Sequence, residues 1–319
     1  MLVDTPTALQ ALQQQLRQAG TFALDMEGLQ LGSTHGKLCV ISFRTLDGAP
    51  YLVDVLAFTK EQLQPLFDVL SNPAVTKLVW DGRMDACELL HGHGVQLRGA
   101  LDLQIADIVA RRKRESFMDQ KRRLSRGYRG IPMSSITVTD FADVHRLNGL
   151  RGAAEEFGVK EKPLVRGLAG SKFDHTQWTQ RPLSAEQMRY ATEDVDMIVT
   201  LYSIFRNRGD IDEPSLRRQS AAYHAIHSAG RPSKDDPYQQ HSMMPLDVLD
   251  LPEPGAARRS CGACRRELSM KCFSTNTSGA KCFVCAALGK EQTQFGRVAG
   301  RGMSYGQRSD VRTNLLFSF

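Results

Sequence analysis

Asp25 and Glu27 stand two residues apart in Thr21-Phe-Ala-Leu-Asp-Met-Glu27, a stretch that reads as a β-strand. Strand side chains alternate between faces, so both carboxylates point the same way and one strand offers two oxygen ligands to one site. Carboxylates suit Mg2+ and Mn2+, hard cations that keep positions open for water and phosphate. An isolated Asp-x-Glu is more often a solvent-facing strand end, so the rest of the chain has to decide. Asp85 follows a short apolar run ending at Trp80 and opens a helix, near the carboxyl end of a strand, where α/β sites form. Asp81, in the turn between them, is expected as the N-cap of that helix. Tyr190 and Asp194 are four apart and so share one helix face, with Leu183, Met188, Val195 and Ile198 available for packing. Singly, Tyr190 is a core or rim tyrosine, and Asp194 joins Glu193 and Asp196 on a solvated acidic face. In this order, each beside an apolar segment that can hold it, they make a carboxylate set for metal with one phenol.

A second constellation is sulfur. Five of the seven cysteines, Cys261, Cys264, Cys272, Cys282 and Cys285, crowd near the C-terminus. Cys261-Gly-Ala-Cys264 and Cys282-Phe-Val-Cys285 are separated by 17 residues, inside the roughly 15–20 expected of paired zinc knuckles. Four thiolates close a tetrahedral structural zinc site, and so short a segment needs the metal in order to fold. Cys272, Cys39 and Cys87 read as buried core residues. Arg258, Arg259, Arg265, Arg266, Lys271 and Lys281 make this module basic, which suits either nucleic acid or a protein partner. A third cluster, Arg111, Arg112, Lys113 and Arg114 with Lys121, Arg122 and Arg123, can track a phosphate backbone, with Phe117 or Tyr128 to stack on bases. A solvated basic helix face or a nuclear-localisation patch has the same composition.

These residues need a frame. With 41% hydrophobic and 24% charged residues in 319, the chain has the composition of a globular protein with a real core. A formal charge of +6 and a pI near 9.0 suit an anionic partner. No run approaches the roughly 18 apolar residues of a membrane helix, and the N-terminus lacks a signal-peptide pattern. A soluble intracellular protein of nucleus or cytoplasm is therefore expected, with no membrane partner. The pattern predicts a helix over 7–19, a three-strand antiparallel meander over 21–26, 37–44 and 51–54, and a helix over 60–70. A strand over 77–80, a helix over 83–91, a strand over 97–101 and a helix from 103 should follow. Residues 111–130 read as an exposed basic insertion. Helical patterning returns over 146–157 and over 184–208, the latter with Ser184 and Gln187 as a capping box. The expected organisation is a domain over 1–210, a linker over 211–257, a zinc-binding module over 258–290 and a flexible tail over 291–319.

Phe22 to Gly32, the Asp85 helix, Leu101 to Asp107 and Leu183 to Asp194 resemble, in that order, the motifs of the ribonuclease D-like DEDD family of 3′-5′ exonucleases, in its tyrosine subgroup. The resemblance covers residues 4–208, and Trp178 with Arg181-Pro-Leu183 extends it. The form of the first motif is most similar to the eukaryotic branch that includes the exonuclease 3′-5′ domain-containing proteins and Egalitarian. Many relatives have Asn or His where Asp81 stands, and the basic insertion is unlike the compact bacterial enzymes. The resemblance implies a ribonuclease H-like α/β fold, a mixed sheet flanked by helices, and two Mg2+ or Mn2+ ions. Asp25, Glu27 and Asp194 would bind the first ion and Asp85 would help hold the second, with Tyr190 orienting a water. It implies hydrolysis of the terminal phosphodiester of single-stranded RNA or DNA. A catalytically silent RNA-binding scaffold on the same fold is the alternative.

Overall fold

The computed structural model describes residues 1–126, 130–159, 174–232, 242–274 and 281–290. Its regular elements in chain order begin with β1 (Leu2–Val3), α1 (Pro6–Ala19), β2 (Thr21–Leu29), β3 (Lys37–Thr45), β4 (Tyr51–Asp54) and α2 (Lys60–Ser71). Next come β5 (Thr76–Val79), α3 (Arg83–His93), β6 (Ala100–Asp102), α4 (Leu103–Arg114) and α5 (Phe117–Ser125). After them lie α6 (Val138–Phe141), α7 (Leu150–Glu156), α8 (Ala185–Asn207), α9 (Glu213–His224), β7 (Arg258–Ser260) and β8 (Glu267–Ser269). Residues 283–290 are also helical. The chain divides into two compact units, Met1–Asp107 with Gly149–Lys234, and Ile108–Asn148 with Asp235–Phe319.

The first unit is built on a six-stranded mixed sheet in the order β1-β4-β3-β2-β5-β6. β2, β3 and β4 form the expected antiparallel meander, and β5 and β6 add parallel to β2. Local signals set the elements. Thr5 caps α1, Pro6 sits in its first turn, and Gly20 ends it with φ +66, a conformation that costs glycine nothing. Thr59 and Gln62 close a capping box on α2, and Ser184 and Gln187 do the same on α8. Alternation along β2 then sorts the faces. Phe22, Leu24 and Met26 enter the core with Leu9, Leu12 and Leu16 of α1 and Leu63, Leu66 and Phe67 of α2. Ala23, Asp25 and Glu27 therefore face the other side, where Val40 and Leu52 pack with Ala191 of α8, Trp178 and Leu183.

Three expectations change. The segment expected as a linker from 211 contains α9, which buries Leu216, Ser220, Tyr223 and His224 in the first unit. The basic segment is largely helical, carried by the end of α4 and by α5 with a Ser116/Asp119 capping box. Its residues 127–129, Tyr128 included, lie outside the described residues, as does the expected tail 291–319. The helix expected over 146–157 begins only at Leu150, because Arg146 is in extended backbone bridging Met243.

The second unit gathers α5, α6 and the cysteine segment around one core. Leu124, Ile131, Ile136, Phe141 and Val144 pack with Met243, Leu246, Leu268, Val284 and Leu288. Among the described residues no helix is long and apolar enough to cross a membrane.

Candidate active site

β2 carries Asp25 and Glu27 past its last pairing with β5, which ends at Ala23↔Leu78, while β3 still pairs with it opposite Ser42 and Val40. Their side chains stand at the open carboxyl ends of β5 and β6, the usual location of a site on such a sheet. A register shift between Glu27 and Gly28 turns the strand away beyond them. α8 crosses this face and brings Asp194 down, so that carboxylate oxygens of Asp25, Glu27 and Asp194 all lie within 4.8 Å of one another. Asp85, buried in the first turn of α3, stands outside that close group of three.

The electrostatics are those of a site short of positive charge. Burial pushes the Asp25 carboxyl well above the usual carboxylate range, and Asp194 and Asp85 push it further. Glu27 is raised by burial, Asp25, Asp194 and Asp85. Asp85 is raised by burial and by Asp81, Asp102 and Glu88. An all-oxygen donor set in which carboxylates repel one another fits a hard divalent cation, which supplies the missing charge.

Tyr190 lies one turn before Asp194, its ring edge-on to His175 at 5.5 Å and Trp178 at 6.2 Å. Burial, then Asp194, Glu27 and Asp25, drive its hydroxyl pKa upward. Arg151 of α7 stacks over the ring at 5.5 Å and approaches Asp194 at 3.7 Å and Glu193 at 3.5 Å. Arg151 and His175 were not singled out from the sequence. Their partners are distant in the chain, and periodicity carries no trace of such a contact.

The turn into α3 also differs from expectation. Gly82, not Asp81, is at the N-cap, and Asp81 has a left-handed φ of +54. Its carboxylate is engaged by Arg83 through Nε at 2.7 Å and Nη2 at 2.9 Å, and despite burial this partner holds it below the usual carboxylate range.

In the second unit the sulfurs of Cys261, Cys264, Cys282 and Cys285 lie within 4.8 Å of one another. Cys261 and Cys264 occupy the turn between β7 and β8, closed by Arg265 N–H to the Cys261 carbonyl at 2.8 Å. Cys282 and Cys285 open the helix 283–290. The Cys282 N–H donates to Cys261 Sγ at 3.3 Å, a bond that suits a thiolate acceptor. Contact with Cys264, with burial adding to it, pushes the Cys282 thiol up to about 12. A four-sulfur set of this kind fits zinc.

The basic residues are unevenly placed. Arg111 is buried and donates to the Arg146 carbonyl at 3.0 Å, which takes it away from any phosphate. Arg112 pairs with Asp250, Arg122 with Asp119, and Arg123 with Glu115. Arg112, Lys113, Arg114 and Arg122 are exposed, Lys121 is half-buried, and Phe117 is partly buried against the core of this unit.

Comparison with known proteins bears above all on residues 1–210. The chain is 24% identical over 208 residues to the exosome complex exonuclease RRP6 of Saccharomyces cerevisiae, covering 65% of this chain and 22% of that one. It is 26% identical over 212 residues to the ribonuclease D of Nitrobacter hamburgensis, covering 65% and 45%. The chain thus spans less than half the length of these curated relatives. The fold is shared with Trypanosoma brucei RNase D in its complex with RNA U12, with a TM-score of 0.55 and 21% identity over 84% of this chain and 82% of that one. Residues 1–210 match the family model for 3′-5′ exonuclease. With the site built on those same residues, the chain belongs to the 3′-5′ exonuclease family, in its RNase D and Rrp6 type.

Proposed function

We propose that the protein is a metal-dependent 3′→5′ exonuclease that hydrolyses the terminal phosphodiester of single-stranded nucleic acid, with RNA as its substrate. The observation that carries this is the convergence of Asp25, Glu27 and Asp194 on one face of β2 beneath α8. Asp25, Glu27 and Asp194 would hold one Mg2+ or Mn2+ ion, and Asp85 would help to hold a second. Such ions, when bound, lower the pKa of water and stabilise charge on phosphorus and on the leaving oxygen. The residues do the rest. β2 and α8 fix the carboxylates on regular backbone, so little reorganisation accompanies the reaction. Tyr190 keeps its proton at working pH, because burial and the neighbouring carboxylates raise its pKa, so it orients water through its O–H and does not act as a base. Arg151 steadies both Tyr190 and Asp194 from α7.

RNA is favoured because the relatives are named as ribonuclease D and an exosome exonuclease, and the T. brucei structure holds RNA. Arg112, Lys113, Arg114, Lys121 and Arg122 are the cations we assign to its backbone. One structural zinc on the four cysteines completes the assignment, and we read the form of the first motif as that of the Egalitarian branch. The test is degradation of 5′-labelled single-stranded RNA and DNA with Mn2+, Mg2+ or EDTA, comparing the protein with Asp25→Ala. A ladder shortening from the 3′ end, strongest on RNA, absent with EDTA and reduced about a thousandfold or more in the variant, is expected. Binding with no ladder in any metal would leave a silent scaffold on this fold.

A further inference from the structure

Helix α9 and the turn after it lie beyond the residues matched by the family model, yet their polar groups converge, directly and through Asp102 of β6, on the turn into α3 and on α3 itself, the helix that carries Asp85. At the start of α3, His224 Nε2 is 3.0 Å from Asp102 Oδ2, with both side chains buried. Asp102 in turn accepts from the backbone N–H of Asp81 at 3.1 Å and of Gly82 at 2.9 Å. Tyr223 adds its hydroxyl, 2.9 Å from Gln104 Oε1 and 3.1 Å from Asp81 Oδ1, and Arg83 stacks on its ring at 4.9 Å. Further along the helix, His91 Nε2 is 2.8 Å from the His227 carbonyl. Arg231 grips Glu88, whose Oε2 also accepts from Gly32 N–H on the loop after β2 at 2.9 Å.

Two details show that these contacts impose a geometry as well as fill space. Asp81 holds a left-handed φ of +54, a conformation that persists in a non-glycine residue only when its surroundings over-determine it. A Cβ on Gly82 would come within 2.9 Å of His224 Nε2, so the imidazole and the turn are fitted to each other. Asp85 lies three residues on, buried, and its pKa is raised by that burial first and then by the neighbouring Asp81, Asp102 and Glu88. A carboxylate among like charges swings away unless its helix is held.

We infer that residues 213–231 form a strap that sets the position of Asp85, with His224 and Arg231 as positioning residues for the second cation. This rests on the metal-dependent reading above. The strap acts through α3 and touches no ligand oxygen itself. Groups that hydrogen-bond a ligand directly are worth about 10- to 100-fold in metal affinity, and a strap one contact further out acts at the lower end of that range.

The test uses the full chain with His224→Leu, which removes the donor, and His224→Gln, which keeps an N–H near the Nε2 position. Arg231→Met probes the other end of α3. Mn2+ binding without substrate is followed by electron paramagnetic resonance and calorimetry, beside melting temperature, kcat and KM on a labelled oligoribonucleotide. For His224→Leu and Arg231→Met the weaker of two Mn2+ binding events should weaken about tenfold or more. The tighter event and KM should hold, and kcat should fall in step, while His224→Gln behaves as the unsubstituted protein. If His224→Leu does not fold, Arg231→Met carries the same expectation. Folded variants that bind both ions as the unsubstituted protein does, or lose both equally, overturn the strap. An unsubstituted protein that binds no Mn2+ overturns the metal-dependent reading instead, so the two failures are distinguishable.

Discussion

Asp25 and Glu27 are costly where they stand. In the metal-free chain their carboxyls keep protons over a pH range in which the unfolded chain has released them, because burial and mutual repulsion raise their pKa values. The folded state therefore binds more protons than the unfolded one, and stability falls as pH rises above the ordinary carboxylate range. Asp25→Asn removes that penalty, so at neutral pH without metal it should raise the melting temperature while abolishing hydrolysis. Thermal melts from pH 5 to 8 with EDTA check this, and a variant that melts lower throughout would contradict it. Tyr190→Phe keeps the packing against His175 and Trp178 but loses the O–H. It should lower kcat about a hundredfold and leave Mn2+ binding unchanged. Asp25 with Glu27, and Tyr190 with Asp194, are legible in the sequence as shared faces because strand alternation and helical spacing translate directly into them, whereas no local pattern joins β2 to α8 or places Asp85. Arg151 is not legible either, since its pairing with Asp194 joins α7 to α8 across 42 intervening positions, and no local pattern encodes that.

α9 shows what hydrophobic periodicity overlooks. Leu216, Ser220, Tyr223 and His224 follow helical spacing, but two of the four are polar and are buried through hydrogen bonds, so the apolar stripe is faint and the segment resembles a linker. β5 carries a similar disguise. Lys77 looks like a surface residue in a short strand, yet it is fully buried and its Nζ donates to the carbonyls of Val69, Asn72 and Val75, tying off the end of α2. Burial, with the Arg217 guanidinium adding to it, brings its pKa from 10.5 to about 7. Between those values the unfolded chain binds the extra proton, so this residue makes stability rise with pH across that window. Lys77→Met should flatten the rise. It should also cost about 1–3 kcal/mol by leaving carbonyls unpaired, measured by urea denaturation at pH 7 and 9.

The basic segment and the cysteine segment stand apart in the sequence, yet they share one core. Leu124 of α5 and Phe141 of α6 are buried in the same cluster as Cys261, Cys282, Cys285 and Leu288. A sequence shows the four-cysteine spacing but not which distant helix completes so small a core. Ser at both Cys261 and Cys282 should therefore cost the helicity of α5 as well as the metal. Calorimetry should show loss of one of two unfolding transitions, with the transition of the first unit retained, whereas loss of both together would mean that the two units fold as one.

The chain passes from one unit to the other after 107, 148 and 234. This has a consequence for synthesis on the ribosome. Residues 108–148 leave the exit tunnel while the cysteine ligands that complete their core are still more than a hundred codons away. Leu124, Ile136 and Phe141 must wait in water until Cys282 and Cys285 emerge, and the nascent chain offers that apolar surface to chaperones throughout. With zinc as the metal we propose for the four cysteines, its supply during translation would govern how much of the protein matures.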